Sequence, residues 1–482
     1  MLLLLLACAD VLDPTKPGPT ESTPATDTTG TTDTTVTTDS ADSGQGTTTG
    51  DTAPPPPPTP VLQFDGKPPR NLLVISVDTM RRDQVGYFSG LDTTPNLDAF
   101  LAESVVLYDH RSCGSWTAPS ALCVVTGTFP PDEGYWPSNV YQSSGPDPRI
   151  PWVPDDLHTM AMDLQTAGFY TGIVTANGVF SDNLGGGILN GFETVTKKLW
   201  LQAPTVAAAG TAQVNRALRD GRPWYTHIHF IDPHTPYEAP DAYATELADL
   251  GSLPWDVTDS TQAYLAEAAY WSASELQQEL IRDSLLAVYR GEFRYWDEVF
   301  GQLWASLDAA GALDDTLVVF WTDHGEQFAE HTGFHHGISL YDQENRSTAA
   351  FWARNLRPTE WMGKTVHYDL APTILEGLGL PADPEMIGQP AGLAPADRTT
   401  FHFNYIVGWE DPHITMIRDQ KKLMYYWNGR KYFYDLVADP EELTDLYDAD
   451  DPEIIDFWSE LGPEIDGIVK RWPEVVSVDA AP

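Results

Sequence analysis

The sequence predicts an α/β fold: a large mixed, mostly parallel central sheet with helices on both faces, plus a smaller C-terminal subdomain on an antiparallel sheet. Three observations predict it. Short continuous apolar runs such as "NLLVISVD" (Asn71–Asp78) alternate with segments of helical spacing. These runs are unbroken rather than alternating, as burial on both faces of a parallel sheet requires. Past about Gly392 the pattern changes to "HITMIRDQKKLMYYWNGRKYFYDL", with a hairpin signal at Asn428-Gly429.

Residues 1–8, "MLLLLLAC", form a leucine run too short to span a bilayer. The run reads as the end of a secretion signal and resembles a bacterial lipobox, with Cys8 as the lipidated N-terminus. Residues 9–66 form a Thr-, Ser-, Pro- and Asp-rich linker that cannot bury a core. As a coil of about fifty residues it would reach roughly 40 Å from an anchor. The folded part divides into 67–392 and 393–482. In the first, "NLLVISVD" is a buried strand, and "TPNLDAFLAES" is a helix with Pro95 at its start. "LHTMAMDLQTAG" is a helix closed by Gly168, and "YTGIVTA", "WYTHIHFID" and "DTLVVFWTD" are further strands. Leu265 to Leu313 is mostly helical. In the second part, the antiparallel strands precede a closing helix, "DPEIIDFWSELGPEIDGIV".

Composition narrows the partners. Seventy acidic against 27 basic side chains give a net charge of −43, which repels nucleic acid and anionic membranes. Contact with a membrane is therefore expected only through a lipid anchor at Cys8, which places the protein in the cell envelope. Of three cysteines, Cys113 and Cys123 flank Thr117; they are either a bridge or two buried thiols.

Chemistry-prone residues fall just past strand ends, the edge where open α/β sheets bind ligands. "VDTMRRD" carries Asp78, and "CGSWTAPSALCVVTG" carries Thr117 at a helix start marked by Pro119, where unpaired N–H groups favour negative charge. "FIDPHTPY" carries Asp232 and His234, and "TDHGEQFAEHTGFHHG" carries Asp323, His324, His335 and His336. Singly, each has an ordinary structural reading. Asp78 can pair with Arg81 or Arg82, Thr117 can cap a helix, Asp232-Pro-His can be a turn, and Asp323-His324 can be a hydrogen-bonded pair. Together, the acids and imidazoles suit a divalent cation.

These stretches in this order, with "TTPNLDAFLAES", "HHGISLYDQENR", "HYDLAPTILEGLGL" and "YDLVADPEELTDLYD", resemble the sulfatase family of the alkaline phosphatase superfamily. The resemblance covers nearly everything after Asn71. It implies that Asp78, Asp323, His324 and Thr117 bind one divalent metal (Ca, Mg, Mn or Zn), with Thr117 at the nucleophile position. His234 and His336 would contact the transferred group. Asn177, in "TANGVF" where the family often has a Lys-x-x-His pair, is expected to bind substrate as a neutral donor, and Arg81 to offset its charge. His229, His331 and His335 are expected to be structural. Asp232, His234 and His336 offer a second cation site. Sulfatases usually carry a cysteine or serine that is converted to formylglycine. Thr117, with Ala121 four residues on, cannot be converted, so no formylglycine is expected. The expected function is metal-dependent hydrolysis, or phosphotransfer, of an anionic small-molecule, glycan or lipid-headgroup ester. Phosphate or phosphonate is favoured over sulfate. The alternative is an inert domain that binds such a group.

Overall fold

A computed structural model describes residues 59–129, 153, 155–180, 187–331, 333–395, 397–404 and 412–471. The expectations for the leader, the lipidated Cys8 and most of the linker lie outside the described residues.

Strand β1 (Asn71–Val77) is the centre of an eight-stranded sheet. Its parallel neighbours are β5 (Trp224–Phe230) and β6 (Thr316–Thr322). Beyond β5 come β3 (Tyr170–Thr175) and β4 (Thr194–Lys197), both parallel. A separate antiparallel pair, β7 (Gln327–Phe328) and β8 (Phe334–His335), follows β6. On the other side of the main sheet, β9 (Ala349–Trp352) runs antiparallel to β6 and to β2 (Val105–Arg111), and β10 (Thr359–Val366) closes the edge parallel to β2. The mixed, mostly parallel sheet is thus present. Its central strands are buried along their whole length, which is why they read as unbroken apolar runs.

Each face has its own core. One is built on helices Thr117–Thr126, Met160–Thr166 and Leu370–Gly377. The other is built on Pro95–Ala102, Ala203–Asp220 and the 35-residue Glu275–Ala309, which starts at a Ser274/Gln277 capping box. Among the described residues no helix is long and apolar enough to cross a membrane.

The second sheet is an antiparallel meander of β11 (Thr400–Asn404), β12 (His413–Arg418), β13 (Lys421–Tyr426) and β14 (Lys431–Asp435). Gly429, with φ 93°, makes the expected turn. Asp419 and Gln420, both at positive φ, make the tight β12–β13 turn. The closing helix Pro452–Arg471 buries Ile454, Phe457, Leu461 and Ile468 in the first core. This sheet also braces the Thr117 loop. Phe403 N donates to Cys113 O at 2.8 Å, and Ser115 N donates to Asn404 Oδ1 at 3.3 Å.

One boundary is corrected. The folded body begins before residue 67, because Val61 and Leu62 are buried in the core and Val61 N donates to Ala391 O at 3.1 Å. The apolar pair after the proline run gains more from burial than the polar linker preceding it can.

Candidate active site

The site sits at the carboxyl edge of the sheet, over β1 and β6. β1 ends by turning sharply at Thr79, whose φ is 49°. A β-branched residue is rarely held in the left-handed region, and such strain gathers at functional sites. Thr79 N donates to Asp323 Oδ1 at 2.9 Å, and the Tyr289 hydroxyl bonds Thr79 O. That turn leaves Asp78 facing Asp323 and His324.

Three buried atoms here have no hydrogen-bond partner: Asp78 Oδ1, Asp323 Oδ2 and His324 Nε2. Asp78, Asp323 and His324 can each turn a ligand atom to within 4.8 Å of the others. His324 Nε2 is 3.3 Å from Asp323 Oδ2 and 3.7 Å from Asp78 Oδ1. Burial and then the His336 charge push the His324 imidazole down to about 3, so it is neutral. Its Nδ1 lies 2.9 Å from Gly325 O and must donate there, which leaves the Nε2 lone pair free. Burial, then the charge of Asp78, pushes Asp323 well up. Burial opposes ionisation of Asp78 too, but the surrounding imidazoles, His229 first and then His234 and His324, outweigh it, and Asp78 is held low. Two buried carboxylates in conflict, with converging lone pairs, are what a divalent cation would reconcile. The residues present therefore fit a metal.

Thr117 is the first residue of its helix and not its cap, which is Trp116. Thr117 Oγ1 lies 3.5 Å from Asp78 Oδ2. Asn177 Nδ2 donates to Thr117 Oγ1 at 3.2 Å and to Asp78 Oδ2 at 2.5 Å, while Asn177 Oδ1 accepts from Val179 N at 2.7 Å. The Cys113–Cys123 disulfide, with Cα atoms 6.5 Å apart, ties the preceding loop to the helix and resolves the choice between bridge and thiols.

A row of rings runs outward from His324. His336 is 4.4 Å from His324, and His234 is 5.0 Å from His336, centroid to centroid. Burial opposes the His336 charge, but Glu326, 2.9 Å from its Nδ1, raises it above an ordinary imidazole. Burial lowers His234, and its Nδ1 is 2.5 Å from Thr235 O, so its Nε2 offers a lone pair.

Two expectations are corrected. Arg81 cannot serve the substrate, because it bonds Asp83 at 2.6 Å, Glu330 at 2.5 Å and Glu326 O at 3.1 Å. Nor do Asp232, His234 and His336 form a second ligand set among the described residues. Asp232 interacts instead with Ala203 and Glu292, and burial pushes it up to about 6. His335 pairs with Glu267 at 2.9 Å and His331 stacks on Tyr341, both structural as expected.

Sequence reasoning missed Glu326, and it placed His229 among structural residues although His229 reaches the site. His229 Nε2 is 3.5 Å from Asp78 Oδ2. Its Nδ1 shares Ser76 Oγ with His227 Nε2, each at 2.7 Å. The signal was two histidines at period two in a strand that otherwise reads as core, with Ser76 directly across the ladder from His229.

Fold and site together define an α/β enzyme with a buried carboxylate–imidazole cluster beside a hydroxyl. A sulfatase family model matches residues 70–380, and the chain belongs to the sulfatase family; it is an ester hydrolase. It is 26% identical over 486 residues to the multifunctional alkaline phosphatase superfamily protein PehA of Trinickia caryophylli, covering 80% of this chain and 92% of that one. It is 24% identical over 428 residues to a choline-sulfatase of Rhizobium meliloti, covering 79% and 82%. The fold resembles a solved protein in complex with its substrate D-glucosamine-2-N,6-O-disulfate (TM-score 0.66, 16% identity, covering 86% of this chain and 100% of that one). It also resembles the phosphonate monoester hydrolase of Agrobacterium radiobacter (TM-score 0.60, 17% identity, covering 84% and 96%).

Proposed function

We propose that this sulfatase-family enzyme hydrolyses monoanionic phosphorus esters, phosphate diesters or phosphonate monoesters, through Thr117, and sulfate esters less well. The observation that carries the proposal is the Thr117 hydroxyl, 3.5 Å from Asp78 in the unpartnered carboxylate–imidazole cluster. Asp78, Asp323 and His324, with Thr117, would hold one divalent cation. Its chemistry would be to polarise the ester and lower the pKa of the hydroxyl.

Asn177 donates to the Thr117 oxygen and so points the hydroxyl hydrogen at Asp78, leaving an oxygen lone pair for attack. The Thr117 hydroxyl passes its proton to Asp78 and its oxygen bonds to phosphorus as the P–O bond to the leaving group breaks, and His336, charged against Glu326, protonates the departing oxygen. Water then attacks phosphorus as the phosphorus–Thr117 oxygen bond breaks; His234 Nε2 takes the water proton, Asp78 returns its proton to Thr117, and the His234 proton passes to His336, whose ring lies 5.0 Å away, which restores the site. A threonine sulfate lacks the second hydroxyl by which an aldehyde hydrate expels sulfate, so sulfuryl transfer would stall. Asp78, Asp323 and Glu326 against one cation and one imidazolium leave no surplus positive charge, since Arg81 is spent. One substrate charge is therefore met better than two. PehA and the phosphonate monoester hydrolases are consistent with this choice.

The disulfide suits an oxidising compartment and supports a cell-envelope location. The test combines element-resolved metal analysis with assays on aryl phosphate diesters, phosphonate monoesters and sulfates. Turnover of the phosphorus esters is expected to vanish in Thr117→Ala with its melting temperature preserved. Bound metal without turnover of any ester would instead indicate an inert binding domain, and full activity in Thr117→Ala would remove Thr117 from the chemistry.

A further inference from the structure

The outward row of rings does not stop at His234. Trp200 continues it, with its ring 5.7 Å from His234 at an interplanar angle of 72°. Three features set Trp200 apart from a stray surface residue. Its side chain is 51% exposed, beside Leu201 at 45%, which makes an apolar lip in a strongly acidic protein. Its φ is 59°, a left-handed conformation that a bulky side chain adopts only when its surroundings impose it. And its segment is pinned to the site, once through its own backbone and once through Gln202. Trp200 N donates to Ala176 O at 2.8 Å, next to Asn177, while Gln202 Nε2 donates to Glu238 O at 2.9 Å on the His234 loop.

We infer that Trp200 determines specificity: its indole stacks on the organic group of the ester as that group leaves past His234, selecting esters with a flat apolar group. The inference rests on the proposed function, because it takes His336 and His234 to face the leaving side. An exposed indole fixed at the mouth offers a flat apolar surface at low entropic cost, and a planar group covers it better than a methyl does.

Calorimetric binding of methylphenylphosphinate and dimethylphosphinate, monoanions with no ester bond to break, to the metal-loaded protein tests this without turnover. The wild type should prefer methylphenylphosphinate by about tenfold, as one added ring contact implies. Trp200→Ala should bring the ratio to about one by weakening methylphenylphosphinate alone, and Trp200→Phe should keep most of the preference. In assays, Trp200→Ala should raise KM for aryl diesters about tenfold with kcat within about threefold. An unchanged phenyl-to-methyl ratio in Trp200→Ala overturns the inference while leaving the catalytic site intact. A wild type that binds neither phosphinate sinks the catalytic reading and this inference together. If Trp200→Ala fails to fold, Trp200→Leu, apolar but not flat, carries the same comparison.

Discussion

Glu326 shows how one buried residue sets the working range of the site. Its carboxylate is fully buried, 2.9 Å from His336 Nδ1, and also accepts from the Tyr237 hydroxyl at 3.4 Å. Burial disfavours its charge, but His336 outweighs that and holds Glu326 below its ordinary value. In return the Glu326 charge raises His336 above its ordinary imidazole value, which favours the protonated form needed for the leaving group. Glu326→Gln keeps the shape and removes the charge. The alkaline limb of the kcat profile should then move to lower pH, and kcat at pH 8 should fall by about 10- to 100-fold. The measurement is kcat against pH on an aryl phosphate diester. An alkaline limb that stays in place would separate Glu326 from the proton transfer.

At the scale of elements, the Thr117 helix is positioned by covalent and non-covalent braces. The disulfide closes a separation of 10 residues around Thr117. Chain entropy alone makes such a loop worth ~3 kcal/mol. Replacing both cysteines by alanine should lower the denaturant-derived stability by about that amount. It should also lower kcat more than it raises KM, because the β11 contacts alone would hold the loop. Stability unchanged by reduction would mean that the second sheet suffices. Much of this organisation is legible in the sequence. The runs ending at Asp78, Phe230 and Thr322 are buried on both faces, so their pattern and their shared carboxyl edge can both be read, and Pro119 marks the helix start. Other features carry no local signal. "AAFW" (Ala349–Trp352) is apolar in either direction, so nothing in it foretells that β9 runs antiparallel between β2 and β6. Glu326 and Trp200 come from different connections, and only tertiary register brings them to one edge. Arg81 looked like a free cation because its partners Glu330 and the Glu326 carbonyl lie some 245 residues away.

For the whole molecule, two sets of buried titratable groups away from the metal ligands pull stability in opposite directions. Burial raises Glu292 to about 8, Glu344 to about 7 and Asp232 to about 6. An acid whose folded pKa is raised binds its proton more tightly when folded. Stability is therefore complete below the unfolded value of about 4 and is lost as pH rises through the folded values. Burial lowers His331 to about 4 and His367 and His402 to about 3. A base lowered in this way stays neutral when folded while the unfolded chain gains a proton below about 6.5, so stability falls as pH drops past that point. Self-repulsion from a net charge of −43 adds to the loss on the alkaline side. The acids erode stability from about pH 4 up to their folded values, while the histidines erode it as pH drops below about 6.5, so the two slopes oppose each other between about pH 4 and pH 6 and the acid slope stands alone above about pH 6.5. Denaturant-derived stability, measured with metal saturating, should therefore change little between about pH 5 and pH 6 and fall from about pH 6.5 to pH 8.5. Glu292→Gln should flatten the alkaline fall and expose a rise in stability from about pH 5 to pH 6, because the amide keeps the acceptor for Ala239 N and removes an acid that opposes the histidines. A monotonic rise in stability from pH 5 to pH 8.5 would show that the buried acids do not ionise as their surroundings require.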